Sequence, residues 1–302
     1  MWFKNIQVYK LDGVEKRTEE DLEKMLLTNK FEACKPTELV KTGWDFIYKD
    51  DAENKLTRKV GQSFFFNLKT ECKIIPSNVV KDKLEERIKE VSKQNDGKKL
   101  NKDEKNDLKD AIILKMAQTA FSKNSNVFSY VDFKNNFFVV ETSSAKKAEE
   151  VIGYLRTTLG GSFNVTPVVI SERVPDIITG FVSQNMKMQK FEFLQNFDLK
   201  DLNGSKISFK NHDIVDCLEV KNHLDKGHKI IRQDMLWQKR IKFSLNEKSE
   251  IRSIKPEDHV KQSLKESLGE SNDYHNEFQV SMLMMTEDYA EIVNDLIELL
   301  KK

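Results

Sequence analysis

Asn136-Phe137-Phe138-Val139-Val140-Glu141-Thr142, followed by Ser144-Ala145-Lys146-Lys147-Ala148-Glu149-Glu150, decides how this chain is read. The first run is short, aromatic and β-branched, and reads as a buried strand. Ser143 or Ser144 is then a natural N-cap, because its hydroxyl accepts a backbone N–H that the first helical turn leaves unpaired. The helix continues to Gly160, with Ala148, Val151, Ile152, Leu155 and Leu159 recurring at helical spacing. Lys146 projects from the face opposite that stripe and Lys147 from its flank. Both lie where the partial positive charge of the helix terminus disfavours cations, by roughly 0.3 to 1 kcal/mol. A docked phosphate would offset that cost through free amides and two ammonium groups. The plain alternative is a solvated face, with Lys146 pairing with Glu150 at i+4 and Lys147 with Glu150 at i+3. On spacing alone that alternative is favoured.

Upstream, residues 2–11 read as a strand. Thr18-Glu19-Glu20-Asp21 resembles a capping box opening a helix to about Asn29, whose first-turn carboxylates suit the dipole as the two lysines do not. Strands are expected at 63–68 and 71–75, ended by Pro76. Ser77 is read as the cap of a helix carrying Val80, Leu84, Ile88 and Val91, broken by the turn signal Asn95-Asp96-Gly97. A second helix is expected from about Lys102 to Ala120, with Leu108, Ala111, Ile112 and Met116 on one side. Together they form a helical hairpin with a narrow apolar seam and a solvated turn at Lys98-Lys99. Strands at 127–132 and 137–142 around Lys134-Asn135-Asn136 complete the first unit.

Downstream, Gly160-Gly161-Ser162 is dense in small residues, and 165–170 starts a second α+β region, so the main boundary is placed near residue 165. Pro175 suits the first turn of a helix to about Asn185. Strands are expected near 191–195, 206–210, 229–233, 239–245, 251–255 and 278–284. Helices are expected near 216–226, ended by Gly227, and at 256–271. Thr286 is read as the cap of the last helix, whose Ile292, Val293, Leu296, Ile297 and Leu300 form a stripe that should seal a sheet or dimer contact. The fold class is therefore α+β. Two sheet-containing regions, 1–75 with 124–165 and 166–302, accompany a projecting helical hairpin at 76–123.

Composition narrows the chemistry. With 302 residues, the chain buries a core without staples. Its three cysteines, Cys34, Cys72 and Cys217, lack the paired spacing of a zinc or redox motif and read as reduced thiols of a cytoplasmic protein. No apolar leader or membrane span is read, so the expectation is neither secretion nor membrane insertion. Lys+Arg 50 against Asp+Glu 49 gives a formal net of +1, so a polyanion would be held only if the basic groups were sorted onto one surface. With 11 glycines there is no Walker motif and no G-x-G-x-x-G, which argues against phosphoryl transfer. His212, His223 and His228 lie near Asp213, Asp216 and Cys217 but fit no ligand spacing, so a metal is not assigned. No nucleophile has a recognisable context, and no cofactor is expected.

Basic clusters remain. Residues 183–242 hold twelve basic against eight acidic side chains, and 76–123 twelve against nine, so neither surplus alone distinguishes a binding face from a solvated one. Lys229, Arg232, Lys239, Arg240 and Lys242 are expected on adjacent strands, sharing one surface with Lys210 and His212. Phe121, in Phe121-Ser122-Lys123 at the end of the hairpin, reads first as a core residue and alternatively as a wedge or interface contact.

Collinear segments then show a resemblance. Trp2-Phe3-Lys4-Asn5, Val8-Tyr9, Gly43-Trp44, Pro76-Ser77, Val80-Lys81, Leu108-Lys109-Asp110, Ala120-Phe121-Ser122, Ser144 to Glu149, Leu155-Arg156, Leu159-Gly160, Asn222-His223, Trp237-Gln238, Arg240-Ile241 and Phe243 resemble, in order, RdgC-type recombination-associated proteins. The resemblance spans nearly the whole chain. It implies a non-enzymatic, nucleoid-associated protein of the cytoplasm that encircles double-stranded DNA as a ring-shaped homodimer and modulates RecA-dependent recombination. A ring lets a near-neutral chain sort lysines inward. The odds on Lys146 and Lys147 are reversed by it. The DNA-binding set becomes Lys146, Lys147, Lys81, Lys123, Lys210, His212, Lys229, Arg232, Lys239 and Arg240, with Phe121 at an interface. At Asn211-His212 the chain departs from the lysine-glutamine pair common in the family, so charge there depends on histidine protonation. The alternative is a protein-interaction module acting directly on the recombinase through the hairpin or the C-terminal stripe.

Overall fold

Strand β1 (Ile6–Leu11) lies in the middle of the sheet, and the rest of the fold is laid out on either side of it. The structure is a computed structural model describing residues 2–48, 54–94, 100–215, 217–268 and 274–301. The expected turn residues 95–99, the helix start at Asp216 and the helix end at Ser271 lie outside the described residues. In chain order β1 is followed by α1 (Glu19–Leu27), β2 (Val40–Asp45), β3 (Thr57–Val60), β4 (Ser63–Lys73), α2 (Ser77–Gln94) and α3 (Lys102–Ala117). Next come β5 (Ser122–Asp132), β6 (Phe137–Glu141), α4 (Ala145–Thr158), β7 (Val165–Pro167), α5 (Val174–Ser183), β8 (Phe191–Lys200) and β9 (Lys206–Phe209). The chain closes with α6 (Leu218–Asp225), β10 (Lys229–Trp237), β11 (Ile241–Asn246), β12 (Ile251–Pro256), α7 (Asp258–Leu268) and α8 (Tyr274–Leu300).

The strands form one 12-stranded sheet in the order β2-β4-β5-β6-β1-β12-β11-β10-β8-β9, with β3 added to β4 and β7 to β1. All strand pairings are antiparallel, in keeping with the α+β class. One edge of β1 pairs with β6. The other is shared between β12, through Ile6 opposite Ile251, and β7, through Tyr9–Leu11 opposite Val165–Pro167.

Strand alternation sorts the apolar residues onto two faces. On one face Tyr9, Leu11, Phe64, Phe66, Val131, Phe138 and Val140 pack beneath α1 and the stripe of α4. Trp44 is fully buried there, its indole N–H donating to Thr158 Oγ1 at 2.9 Å, so β2 is tied to α4. On the opposite face Ile6, Phe65, Tyr130, Phe197, Met235, Trp237 and Phe243 pack beneath α5, α6 and α8. Tyr289 on α8 donates its hydroxyl to Phe3 O, fastening the last helix to the first residues.

Several expected elements take a different form. Residues 278–284 are not a strand but part of the 27-residue α8, and Thr286 lies within that helix, its hydroxyl donating to Leu283 O. The alternation of Phe278, Val280, Met282 and Met284 imitated a strand. Burial follows a helical repeat instead, through Met282, Met285, Tyr289, Val293, Leu296 and Leu300. The strands expected at 63–68 and 71–75 are one strand, because pairing with β2 and β5 carries the backbone through the polar Lys69 and Thr70. β2 and β3, short and interrupted by glycine or charge, were not anticipated. Lys239 is not in a strand: Gln238 and Lys239 adopt φ of 45° and 56° in the β10–β11 turn.

Candidate nucleic-acid interface

The opening segment folds as read. Ser144 caps α4, its hydroxyl accepting the Lys147 N–H at 3.4 Å, and the first turn holds no acidic residue. Lys146 and Lys147 are exposed, and among the described residues neither ammonium has a carboxylate within 4 Å. The local pairing with Glu150 is therefore not made. The two cations stand uncompensated at the positive end of the helix.

Arg252 on β12, which no reading of the sequence picked out, adds to this terminus. Its Nη2 donates to the carbonyl of Ser143, immediately before the cap, at 3.1 Å and to Glu250 Oε2 at 2.6 Å. Ile251 faces the α8 side with Ile6, so Arg252 faces the other side of the sheet, the side α4 covers in the first half. Along that side the register sets Arg252 opposite Ser244, Ser244 opposite Asp234, and Lys242 opposite Lys255. Arg232 belongs to the same surface. It donates to both oxygens of Asp198 at 2.6 and 2.9 Å and to Asp234 at 2.9 Å, while Asn196 also reaches Asp234. The start of α4 thus stands at the margin of a polar sheet surface on β12, β11, β10 and β8.

The remaining candidates divide. Lys229 pairs with Asp176 of α5 at 2.6 Å, and Arg240 donates to both oxygens of Asp288 of α8 at 3.0 Å. Both helices pack on the opposite side from Arg232. The single surface expected for Lys229, Arg232, Lys239, Arg240 and Lys242 is therefore split, because two of these cations turn toward helical carboxylates that lie far away in sequence. Lys239 is exposed at the hairpin turn. Lys210 and His212 are exposed beyond the edge strand β9. Asn211 between them has φ 58°, and His212 Nδ1 lies 2.7 Å from Lys210 O, its ring edge-on to Phe209. Burial pushes the Asp288 carboxyl upward against the pull of Arg240, whereas hydrogen bonds from Arg232, against some desolvation, hold Asp198 below the usual carboxylate range.

Lys81 and Lys123 lie at the base of the α2–α3 hairpin. Lys81 shares a cleft of about 470 Å³ with Lys73, Lys109, Val40 and Val80, and pairs loosely with Glu85 at 4.0 Å. Lys123 is the second residue of β5, opposite Cys72. Phe121 is 85% exposed, which overturns its reading as a core residue, and its carbonyl accepts the N–H of the half-exposed Ile74. The hairpin leaves this ring outside because its seam is thin: Val80 and Ala117 are the buried residues of its two helices. His223 and His228 lie 4.7 Å apart ring to ring, and among the described residues no three His, Cys, Asp or Glu side chains gather around one point. No described helix is long and apolar enough to cross a membrane.

Comparisons with known proteins agree along the whole chain. A family model described as "Putative exonuclease, RdgC" matches residues 1–302. The recombination-associated protein RdgC of Enterobacter sp. (strain 638) is 30% identical over 300 residues, covering 99% of this chain and 97% of that protein. The proteins of the same name from Actinobacillus succinogenes and Salmonella typhimurium are each 29% identical, covering 98% and 99% of this chain and 96% and 97% of their own lengths.

Proposed function

The chain belongs to the RdgC family, whose curated relatives are named recombination-associated proteins, and from that premise we propose that it binds double-stranded DNA without sequence preference as an encircling homodimer. In this reading it is not an enzyme, needs no cofactor, and modulates RecA-dependent recombination by occupying the duplex. The observation that carries it is the start of α4. Two exposed lysines there lack carboxylate partners among the described residues and adjoin the Arg252 surface of the sheet. Free amides and two ammonium groups together suit a phosphate backbone and carry no base information, while Arg252, held by Glu250, braces the residue before the cap.

The pairing pattern ranks the other candidates. Lys123, Lys210 and Lys239 are exposed without a carboxylate partner among the described residues and serve as further backbone contacts, joined by Lys81 at the hairpin base. Arg232, Arg240 and Lys229 hold elements together through carboxylates. Phe121 supplies an apolar contact to the second copy.

Salt titration of duplex affinity tests the reading. Affinity should fall steeply between low and physiological salt, and Lys146→Glu with Lys147→Glu should weaken unrelated sequences alike, by about tenfold or more. A flat salt response, or unchanged affinity in the folded double variant, would reject it. Metal-dependent shortening of labelled duplex ends would favour an exonuclease. Salt-resistant capture of purified recombinase without DNA would favour the protein-interaction reading.

A further inference from the structure

A second cleft has a different chemistry. It has a volume of about 830 Å³ and opens between α1, the β3–β4 hairpin and the β5–β6 turn. Its floor is aromatic: Phe64 and Phe133 meet edge to face with centroids 5.9 Å apart. Phe64 is held in β4 at 5% exposure, and the Phe133 N–H donates to Gln62 O, so the floor is fixed by the sheet.

The rim is cationic. Lys16, Arg17, Lys24, Lys55 and Lys59 face Glu19, Glu20 and Glu23. Two of these carboxylates are engaged by the backbone. Glu23 accepts the N–H groups of Leu56 and Thr57 at 3.0 Å, and Glu19 accepts that of Lys59 at 3.2 Å. These bonds hold the start of β3 against α1 and shape the cleft, and they draw the negative charge toward amides. Among the described residues Arg17 reaches neutral partners, donating to Ser162 Oγ at 3.0 Å and Met25 Sδ at 3.4 Å. Among the described residues no carboxylate lies within 4 Å of the charged groups of Lys16, Arg17, Lys24 or Lys59. Lys59 Nζ stands 5.9 Å from the centroid of Phe64.

Each half of this lining selects against a simpler ligand. An apolar molecule would desolvate the cations, and an inorganic anion would leave the aromatic floor wet. A duplex is too wide to enter. A ring bearing a phosphate satisfies both halves, stacking or edging onto Phe64 and Phe133 while the rim holds the anion. We propose that this cleft binds a nucleotide, either free or as the phosphorylated end of a DNA strand. Ser162 lies beyond the C-terminal end of α4, so the cleft is about 20 Å, one helix length, from Lys146 and does not depend on the duplex-binding reading.

Fluorescence titration of the full-length protein with mant-ADP tests this. Saturable binding is expected, weakened about tenfold or more by Lys59→Glu and by Lys16→Glu, two exposed positions. Phe133→Ala should weaken it too while leaving the charge intact, and Lys146→Glu with Lys147→Glu should leave it unchanged. Competition separates the two sources. Displacement by a 5′-phosphorylated oligothymidine but not by its 5′-hydroxyl counterpart supports the proposal for strand ends, and displacement by AMP alone supports it for free nucleotides. Absence of saturable binding up to about 1 mM overturns it. So does displacement by inorganic phosphate as effective as by AMP, or insensitivity to Phe133→Ala.

Discussion

Gly43 shows how one residue fixes a crossing of the chain. A Cβ built there would lie 2.4 Å from Phe31 Cα and 2.6 Å from Phe31 N, because Phe31 N–H donates to Trp44 O and Trp44 N–H to Asn29 O at 2.8 and 2.9 Å. The backbone after α1 runs against β2 at that point, so Gly43→Ala should destabilise by at least about 2 kcal/mol in urea unfolding. The Arg232 site sets a pH dependence. Asp198 titrates below the usual carboxylate range, so its pair contributes stability that is present above the unfolded value, near 4, and is lost as pH falls through the folded value. Asp198→Asn should therefore lower stability at neutral pH and flatten the acid limb of stability against pH. Urea midpoints measured from pH 7 down to about pH 3 check this. At this scale the sequence was informative where the physics is local, as at Ser144 and its lysines. It was silent on Arg252, which meets Ser143 across a separation of 109 residues, and on the distant carboxylates that hold Arg240 and Lys229.

Among the elements, α4 was readable because its cap, stripe and stop all agree. The α8 segment was not, because Phe278 to Met284 satisfies two periods at once and burial on the sheet decides between them. Most of the sheet was visible as separate strands, yet their order depends on pairings that leave no local mark. The α2–α3 hairpin was legible from its seam and its turn signal, whereas the Asn101–Glu104 capping box that opens α3 went unread. That seam has an energetic consequence. With Val80 and Ala117 the buried residues of the two helices, the hairpin should open without global unfolding. Amides of α2 and α3 should exchange with deuterium well before those of β4 and β5, measured by mass spectrometry on the intact protein. Protection equal to that of the sheet would show that a partner or a second copy covers the hairpin.

For the whole molecule, the proposed homodimer would place a second copy on the exposed apolar groups at the hairpin end of the sheet. Phe121 is 85% exposed, and Ile74 and Val40 are about half exposed. Phe121→Ala should raise the dimer dissociation constant by about tenfold or more in sedimentation equilibrium, with the monomer fold intact. If the dimer encircles DNA, the same variant should lose retention on closed circular DNA faster than on short linear DNA. The position of β1 has a further consequence, in the order of synthesis. Strand β1 takes β12 as a neighbour, although Ile251 emerges from the ribosome some 245 residues after Ile6, and Phe3 waits for Tyr289. The Ile6 end of that edge of β1, which β7 does not cover, must therefore remain unpaired during most of translation. Contacts of such sequence separation slow folding and leave a strand edge open to wrong partners. A nascent chain halted before β12 is thus a natural client for a holding chaperone, whereas a chain made through β12 can close its sheet.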